Sequence, residues 1–320
     1  MTYENYLNEY LHYLTVRNYA KGTIDWRRSY LRVFFSYLEN QGVFDPKSVT
    51  KAQVESFKAY LKTEYRTHQD RELSDSSFSS FVTAVTCFFK WLEITGQILM
   101  TPAAKPERTK RVKPVKLPQV LNEDEVLKIL EACPVNTPPG LRDRAILEVL
   151  YSTGIRREEL ANLNVEDYSP ERQELRINQG KGRKDRIVPI GEYACLFTNA
   201  YLKMIRPWLA QSPDEKALFL DTQKGTRLST QTVANIVKKA VSRCNFGRRI
   251  NVTPHTFRHT MAAHLLRNQA DLRHIQAILG HSSLASTGIY THLTVENLKQ
   301  VMKKSHPHSR RAAVGPDSKP

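Results

Sequence analysis

The sequence predicts a mainly α fold with a small β-hairpin or sheet, split into two domains by a basic linker. Three observations predict it. Apolar residues recur every three or four positions through most of the chain, the period of helices that bury one face. Strand signals gather in one place, Glu174 to Gln179 and Arg186 to Ile190, on either side of a glycine-flanked turn. Residues 104–118 hold three prolines and six basic side chains against one acid, a composition that cannot pack a core and should run extended.

Residues 1–103 read as an all-helical N-terminal domain. Tyr6, Leu7, Tyr10, Leu11 and Leu14 mark one amphipathic helix, and Thr23, Tyr30, Leu31, Phe34, Phe35 and Leu38 mark a second that stops before Gly42. A third runs from Thr50 through Val54, Phe57, Tyr60 and Leu61. After a polar insert at 66–75, a fourth spans Ser76 to about Ile94 and is punctuated by Gly96 and Pro102. Lys21, Arg27, Arg28, Arg32, Lys58, Lys62 and Lys90 are expected on the outer faces. Any one of them is by default a solvated charge; together they are candidates to grip phosphates.

The second domain spans 119–304. Asn122 caps a helix whose first turn, Glu123-Asp124-Glu125, suits the helix dipole. Leu141 to Tyr151 forms a further helix, and Gly154 turns the chain so that Arg156 emerges where a new helix begins, with Glu159 three residues on. The hairpin tip, Gly180-Lys181-Gly182-Arg183-Lys184-Asp185, lacks the GxxxxGK spacing and the strand-to-helix setting of a nucleotide loop. An exposed lysine there is the plain reading; one reaching into a groove is the functional one.

Thr253 and Pro254 start another helix, which places His255 and Arg258 on one face of a first turn whose free amides and dipole favour an anion. Met261, Ala262, Leu265 and Leu266 should hold that helix against a core. Leu272 to Leu279 forms the next helix, stopped by Gly280, and His281 follows in a turn. Tyr290 stands nine residues later in Thr-Gly-Ile-Tyr. Thr294 caps a last amphipathic segment with Val295, Leu298 and Val301 on its apolar side, and 305–320 reads as a disordered tail.

The formal net charge of +16, from 48 Lys and Arg against 32 Asp and Glu, favours a polyanionic partner and salt-sensitive binding. Cys87, Cys133, Cys195 and Cys244 form no CxxC pair, which argues against a zinc ribbon or a disulfide scaffold and fits a reducing compartment. The acidic, tyrosine-rich N-terminus is no signal peptide, and no apolar run reaches membrane-spanning length. His255 and His259 have metal-ligand spacing, but Arg258 lies between them and no acidic third ligand accompanies them. No metal and no cofactor is expected.

Taken singly, Tyr290 is more often a half-buried core residue and His281 a turn residue. Yet Arg156, Lys181, His255, Arg258, His281 and Tyr290 occur in that order in the contexts GIRREEL, QGKGRKDR, HTFRH, LGH and TGIY. In these motifs and spacings, over roughly residues 117–300, the chain resembles the tyrosine recombinases, the phage-integrase and Xer class. Phe257, where leucine is common, and Asn268-Gln269, where a glycine often precedes the aspartate, depart from the pattern without touching those six positions.

The resemblance implies a two-domain recombinase architecture. Residues 1–103 would be a core-binding DNA clamp, and 119–304 a catalytic domain ending in an oligomerisation helix that docks into a neighbouring protomer. It implies a site-specific recombinase acting through a covalent 3′-phosphotyrosyl link without metal or ATP. Tyr290 would be the nucleophile, with Arg156, Lys181, His255, Arg258 and His281 catalytic and Glu159 supporting. DNA-contact candidates are Lys21, Arg27, Arg28, Lys58, Lys62, Lys90, Arg183 and Lys184. The implied partners are a double-stranded recombination site and three further subunits, identical or from a second recombinase, in a bacterial cytoplasmic, nucleoid-associated setting with no membrane. A type IB topoisomerase and a noncatalytic DNA-binding regulator are the alternatives.

Overall fold

The computed structural model describes residues 2–67, 70–103, 119–178, 185–247, 250–280 and 295–308. The chain separates into two units, Met1–Pro114 and Val115–Pro320, and each buries its own hydrophobic core.

Four helices build the first unit: α1 (Tyr3–Val16), α2 (Lys21–Asn40), α3 (Lys51–Thr63) and α4 (Asp75–Ile94). Their starts are fixed by side chains that satisfy free amides. Thr50 and Gln53 form a reciprocal box at α3, and the Ser74 hydroxyl accepts from the Ser77 amide at α4. The apolar stripes then meet in a core dominated by rings. Phe34 lies 4.8 Å from Phe57, Tyr10 lies 5.6 Å from Phe88 edge to face, and Leu7, Leu31, Leu38 and Leu92 fill the gaps without solvent exposure.

The second unit contains α5 (Glu123–Glu131), α6 (Pro138–Thr153), α7 (Arg157–Asn162), β1 (Tyr168–Ser169), β2 (Glu174–Ile177), β3 (Arg186–Pro189), α8 (Glu192–Met204), α9 (Arg206–Leu209), α10 (Thr230–Ser242), α11 (Pro254–Arg267), α12 (Leu272–Leu279) and α13 (Val295–Ser305). The sheet is antiparallel in the order β1-β2-β3, with Leu175 opposite Val188 and Ile177 opposite Arg186. The α6 helix is its axis, buried on every side from Gly140 to Thr153. Its charged residues are therefore paired internally: the Arg142 Nη2 meets Asp143 at 2.6 Å and the Arg144 Nε meets Glu148 at 2.8 Å.

Two features of α6 fix the positions of α7 and α11. Gly154 ends it in the left-handed region at φ 59°, and a Cβ there would sit 2.4 Å from the Met261 Cε, so only glycine fits. Tyr151 donates its hydroxyl to the His264 Nδ1 at 2.8 Å, while the His264 Nε2 donates to the Leu121 carbonyl at 2.9 Å. A carbonyl can only accept, which fixes the proton on Nε2. The Leu121 amide in turn donates to the Thr260 hydroxyl, so the start of the second unit is tied to α11.

Three expectations change. On α11 the buried face runs through Phe257, Met261, His264 and Leu265, and Leu266, expected in the stripe, is exposed because it falls off that four-residue ladder. The last helix, expected to dock on a neighbouring protomer, packs in this structure on its own chain: Leu298 and Met302 join the core of the second unit, and Lys299 pairs with Glu174 at 2.7 Å. The tail expected to be disordered from 305 stays buried through His308. There the His306 Nε2 donates to the Tyr151 carbonyl at 3.2 Å, the His308 ring stacks on Tyr193 with centroids 4.5 Å apart, and the His308 Nδ1 meets Glu148 at 3.1 Å. Residues 309–320 and the Thr294 cap lie outside the described residues.

Burial, with smaller contributions from His308 and His264, pushes His306 down to about 3 from an ordinary value of 6.5. Its folded form is thus neutral, while an opened chain takes up a proton below the ordinary value. The docking of His306 is therefore fully stabilised above that value and weakens as pH falls toward the folded value, by about tenfold in the opening equilibrium per pH unit. Hydrogen-exchange protection factors at Ser305, His306 and His308, taken relative to the intrinsic rate at each pH, should fall accordingly between neutral and mildly acid pH, and a His306→Gln variant, which cannot protonate, should show a shallower dependence. An identical acid dependence in the variant would contradict this account.

Candidate active site

The second unit brings three guanidinium groups to the C-terminal end of α12. The Arg258 Nη2 donates to the Leu279 carbonyl at 2.7 Å and its Nη1 to the Gly154 carbonyl at 2.6 Å. The Arg186 Nε donates to the Ile278 carbonyl at 3.3 Å, and the Arg156 Nη2 reaches the Gly280 carbonyl at 3.5 Å. Three successive carbonyls, the negative end of a helix, each receive a different arginine. Gly280 itself leaves the helix at φ 65°, and a Cβ on it would press within 3.1 Å of the Arg186 side chain.

Glu159 compensates this charge from the other side. The Arg186 Nη1 and Nη2 donate to both of its oxygens at 2.9 and 2.8 Å, the Arg156 Nη1 donates at 2.8 Å, and the Arg156 amide adds a fourth bond at 2.8 Å. Burial alone would raise the Glu159 carboxyl, but the Arg186 and Arg156 bonds outweigh it and hold the group down at about 2. It is a carboxylate at any working pH. Burial, then repulsion from Arg156 and Arg186, lowers Arg258 to about 10, which leaves it charged at neutrality.

Each side chain is delivered by a local feature of the sequence. Arg156 sits just past the Gly154 turn as the residue before α7. Arg258 lies one turn into α11, which Thr253 caps and Pro254 opens. His255 occupies the same first turn and is exposed. Loss of solvation lowers its pKa, Arg258, His259 and Arg157 push the same way, and Glu158 partly offsets them. A neutral imidazole able to accept a proton is the result at pH 7.

Of the residues singled out from the sequence, Arg156, Glu159 and Arg258 come together and His255 stands one turn before Arg258. Lys181, Arg183, Lys184, His281 and Tyr290 lie outside the described residues. Sequence reasoning missed Arg186. Its signal was present, because alternation along β3 puts it on the same side as the buried Val188, and an arginine facing inward needs an acid. Arg227 was missed too; it braces the end of α7 through the Ala161 and Leu163 carbonyls, both at 3.0 Å.

In the first unit the basic candidates divide. Arg27 is half-buried, donates to the Tyr10 hydroxyl at 2.8 Å and lies over the Tyr19 ring, so it serves the fold. Arg28 pairs with Asp25, Lys58 with Glu55 and Lys90 with Glu93, but such surface pairs are worth roughly 0–1 kcal/mol and yield readily to a phosphate. Lys62 lies over the Phe78 ring, and Lys21 is exposed in the first turn of α2, where the helix dipole disfavours it. Among the described residues no group of three His, Cys, Asp or Glu side chains could hold a metal, the four cysteines are free, and no helix is long and apolar enough to cross a membrane.

Residues 119–297 match the model of the phage integrase family. The chain is 35% identical over 309 residues to the tyrosine recombinase XerC of Oceanobacillus iheyensis, covering 96% of this chain and 97% of that protein. It is 34% identical over 305 residues to the tyrosine recombinase XerD of Listeria monocytogenes serotype 4b, covering 95% and 99%. Among solved structures, the Tn1549 transposon integrase in complex with circular intermediate DNA superposes with a TM-score of 0.64 at 18% identity, over 94% of this chain and 99% of that one. The XerH recombinase bound to its difH substrate gives 0.61 at 22%, over 92% and 82%; at such identities both speak for the fold alone. The chain belongs to the phage integrase family of tyrosine recombinases.

Proposed function

We propose that this protein is a site-specific DNA recombinase that cuts and rejoins strands through a covalent 3′-phosphotyrosyl intermediate. The observation that carries the proposal is the gathering of Arg156 and Arg258 around the end of α12, where they face no carboxylate other than Glu159 among the described residues. Guanidiniums held there suit the nonbridging oxygens of a phosphodiester, and their charge is worth most as the phosphorus centre becomes crowded and more negative.

In this mechanism the Tyr290 oxygen bonds to phosphorus as the 5′ oxygen departs. The phenol's proton passes to neutral His255, and Lys181, the general acid, protonates the leaving oxygen. His281 bonds the phosphate or positions the phenol, and Glu159 orients Arg156. The phosphotyrosyl link keeps the energy of the original bond. A 5′ hydroxyl from another strand therefore restores the phosphodiester and the free tyrosine with no ATP, and the guanidiniums supply the charge that a metal ion would otherwise bring.

Residues 1–103 act as a DNA clamp, with Lys21, Arg28, Lys58, Lys62, Lys90 and, in the hairpin, Arg183 and Lys184 on phosphates. The net charge of +16 supports a duplex partner. The recombinase activity for which the relatives are named, and the DNA bound to the XerH fold neighbour, support the same reading. Exchange between two duplexes calls for four active subunits, identical or shared with a second recombinase, acting at the bacterial nucleoid.

The test uses duplex sites selected by the protein itself, nicked near the crossover so that cleavage cannot reverse. Wild type should give a denaturant-resistant adduct on the nicked site and recombinant strands on intact sites, Tyr290→Phe neither, and Arg258→Ala an adduct rate lower by at least about 10²-fold. Absence of any adduct would point to a binding protein, and relaxation of a supercoiled plasmid carrying the site, without exchange, to a topoisomerase. The depressed His255 pKa adds a pH prediction: single-turnover cleavage should fall only on acidification below the ordinary histidine value of 6.5. An acid limb centred above that value would contradict the assignment of His255 as proton acceptor.

A further inference from the structure

We infer that Arg186 is a positioning residue of the cleavage site, whose task is to neutralise Glu159 so that Arg156 keeps its charge for the scissile phosphate. This rests on the recombinase reading. The geometry behind it is a carboxylate shared unequally between two arginines. Arg186 takes both Glu159 oxygens through its two terminal nitrogens, whereas the Arg156 side chain touches one, at 2.8 Å. Glu159 has its remaining capacity filled by the Arg156 amide. Three guanidiniums against this one carboxylate leave two positive charges uncompensated.

Without Arg186 the balance shifts. Glu159 is buried, and a buried carboxylate left with a single cation draws it into a tight pair. Arg156, the more exposed of the two arginines and already bonded to one Glu159 oxygen, is then drawn onto both. One uncompensated positive charge is lost from the cluster, and it is lost from the arginine assigned to the phosphate.

Arg186 also has a mechanical role that Glu159 alone cannot supply. It begins β3, the strand that leaves the hairpin bearing Lys181 in its sequence, and its Nε holds the Ile278 carbonyl in the last turn of α12, which His281 follows in the chain by one residue after Gly280. The close fit of Gly280 against the Arg186 side chain seats that contact. One side chain thus joins α7, the strand that follows Lys181 in the chain and the helix that precedes His281, with its Nε and both terminal nitrogens engaged by Ile278 and Glu159 rather than by the phosphate.

The experiment compares wild type, Arg186→Gln, Glu159→Gln and the double variant on the nicked site, with adduct formation timed in single turnover, site affinity followed by anisotropy and folding followed by thermal unfolding. Arg186→Gln should slow adduct formation by about 10²-fold with site affinity unchanged. Adding Glu159→Gln to it should recover at least about tenfold, because removing the uncompensated carboxylate frees Arg156 again. A purely structural role predicts the opposite, a double variant slower than either single one and less stable. Wild-type adduct together with a full-speed Arg186→Gln, or with a double variant no faster than Arg186→Gln, would overturn the inference alone; no adduct from wild type would overturn it together with the recombinase reading.

Discussion

Like charges do not gather unaided. Arg156, Arg186 and Arg258 share one corner of the second unit because three consecutive carbonyls at the end of α12 and the carboxylate of Glu159 compensate them there. Peptide dipoles and one fixed anion replace the water that burial takes from the guanidiniums. The compensation falls short of the charge gathered, and the surplus is what makes the corner an anion site. Remove the carbonyls and the arginines would spread into solvent; remove the surplus and nothing would draw in a phosphate.

The rest of the second unit holds these partners still. Arg156 depends on the left-handed turn at Gly154, which in turn depends on Met261 packing where a side chain on residue 154 would have been. Arg258 depends on the seating of α11, fixed by the Tyr151, His264 and Leu121 chain of hydrogen bonds and by the Thr260 bond to the Leu121 amide. All of these contacts lead back to α6, a helix buried on every side. His306 and His308, which follow α13, close over the same helix, so the C-terminal segment and the proposed active site share one support.

Much of this was legible in the chain, for reasons that can be stated. The helices of the first unit follow from leucines and aromatic residues at three- and four-residue spacing behind Thr50 and Ser74 caps, because each helix buries one face only. Arg156, Glu159, His255 and Arg258 were readable because turns and caps set them, at Gly154 and at Thr253-Pro254. The α8 helix was not, since its buried face is made of Ala194, Cys195, Thr198 and Tyr201 and carries little apolar contrast; α10, with Val233, Ile236, Val237 and Ala240 behind Ser229, was legible though unread. The tail through His308 was misread because histidine and serine count as polar until a tyrosine ring and a buried carboxylate are found waiting for them. Arg186 was legible only in part: alternation along β3 turns it inward, but its acid lies 27 positions away and belongs to another element.

The central claim is that the guanidiniums at the end of α12 are a phosphate site held in readiness. Arginine-selective nitrogen NMR of the Tyr290→Phe protein tests it most directly, with side-chain signals assigned by single Arg→Lys substitutions and followed as intact site DNA is added. The account predicts that the Arg156 and Arg258 guanidinium signals move as backbone carbonyls give way to phosphate oxygens, while Arg186, kept by Glu159, stays where it was. DNA that binds and leaves Arg156 and Arg258 unmoved would contradict it.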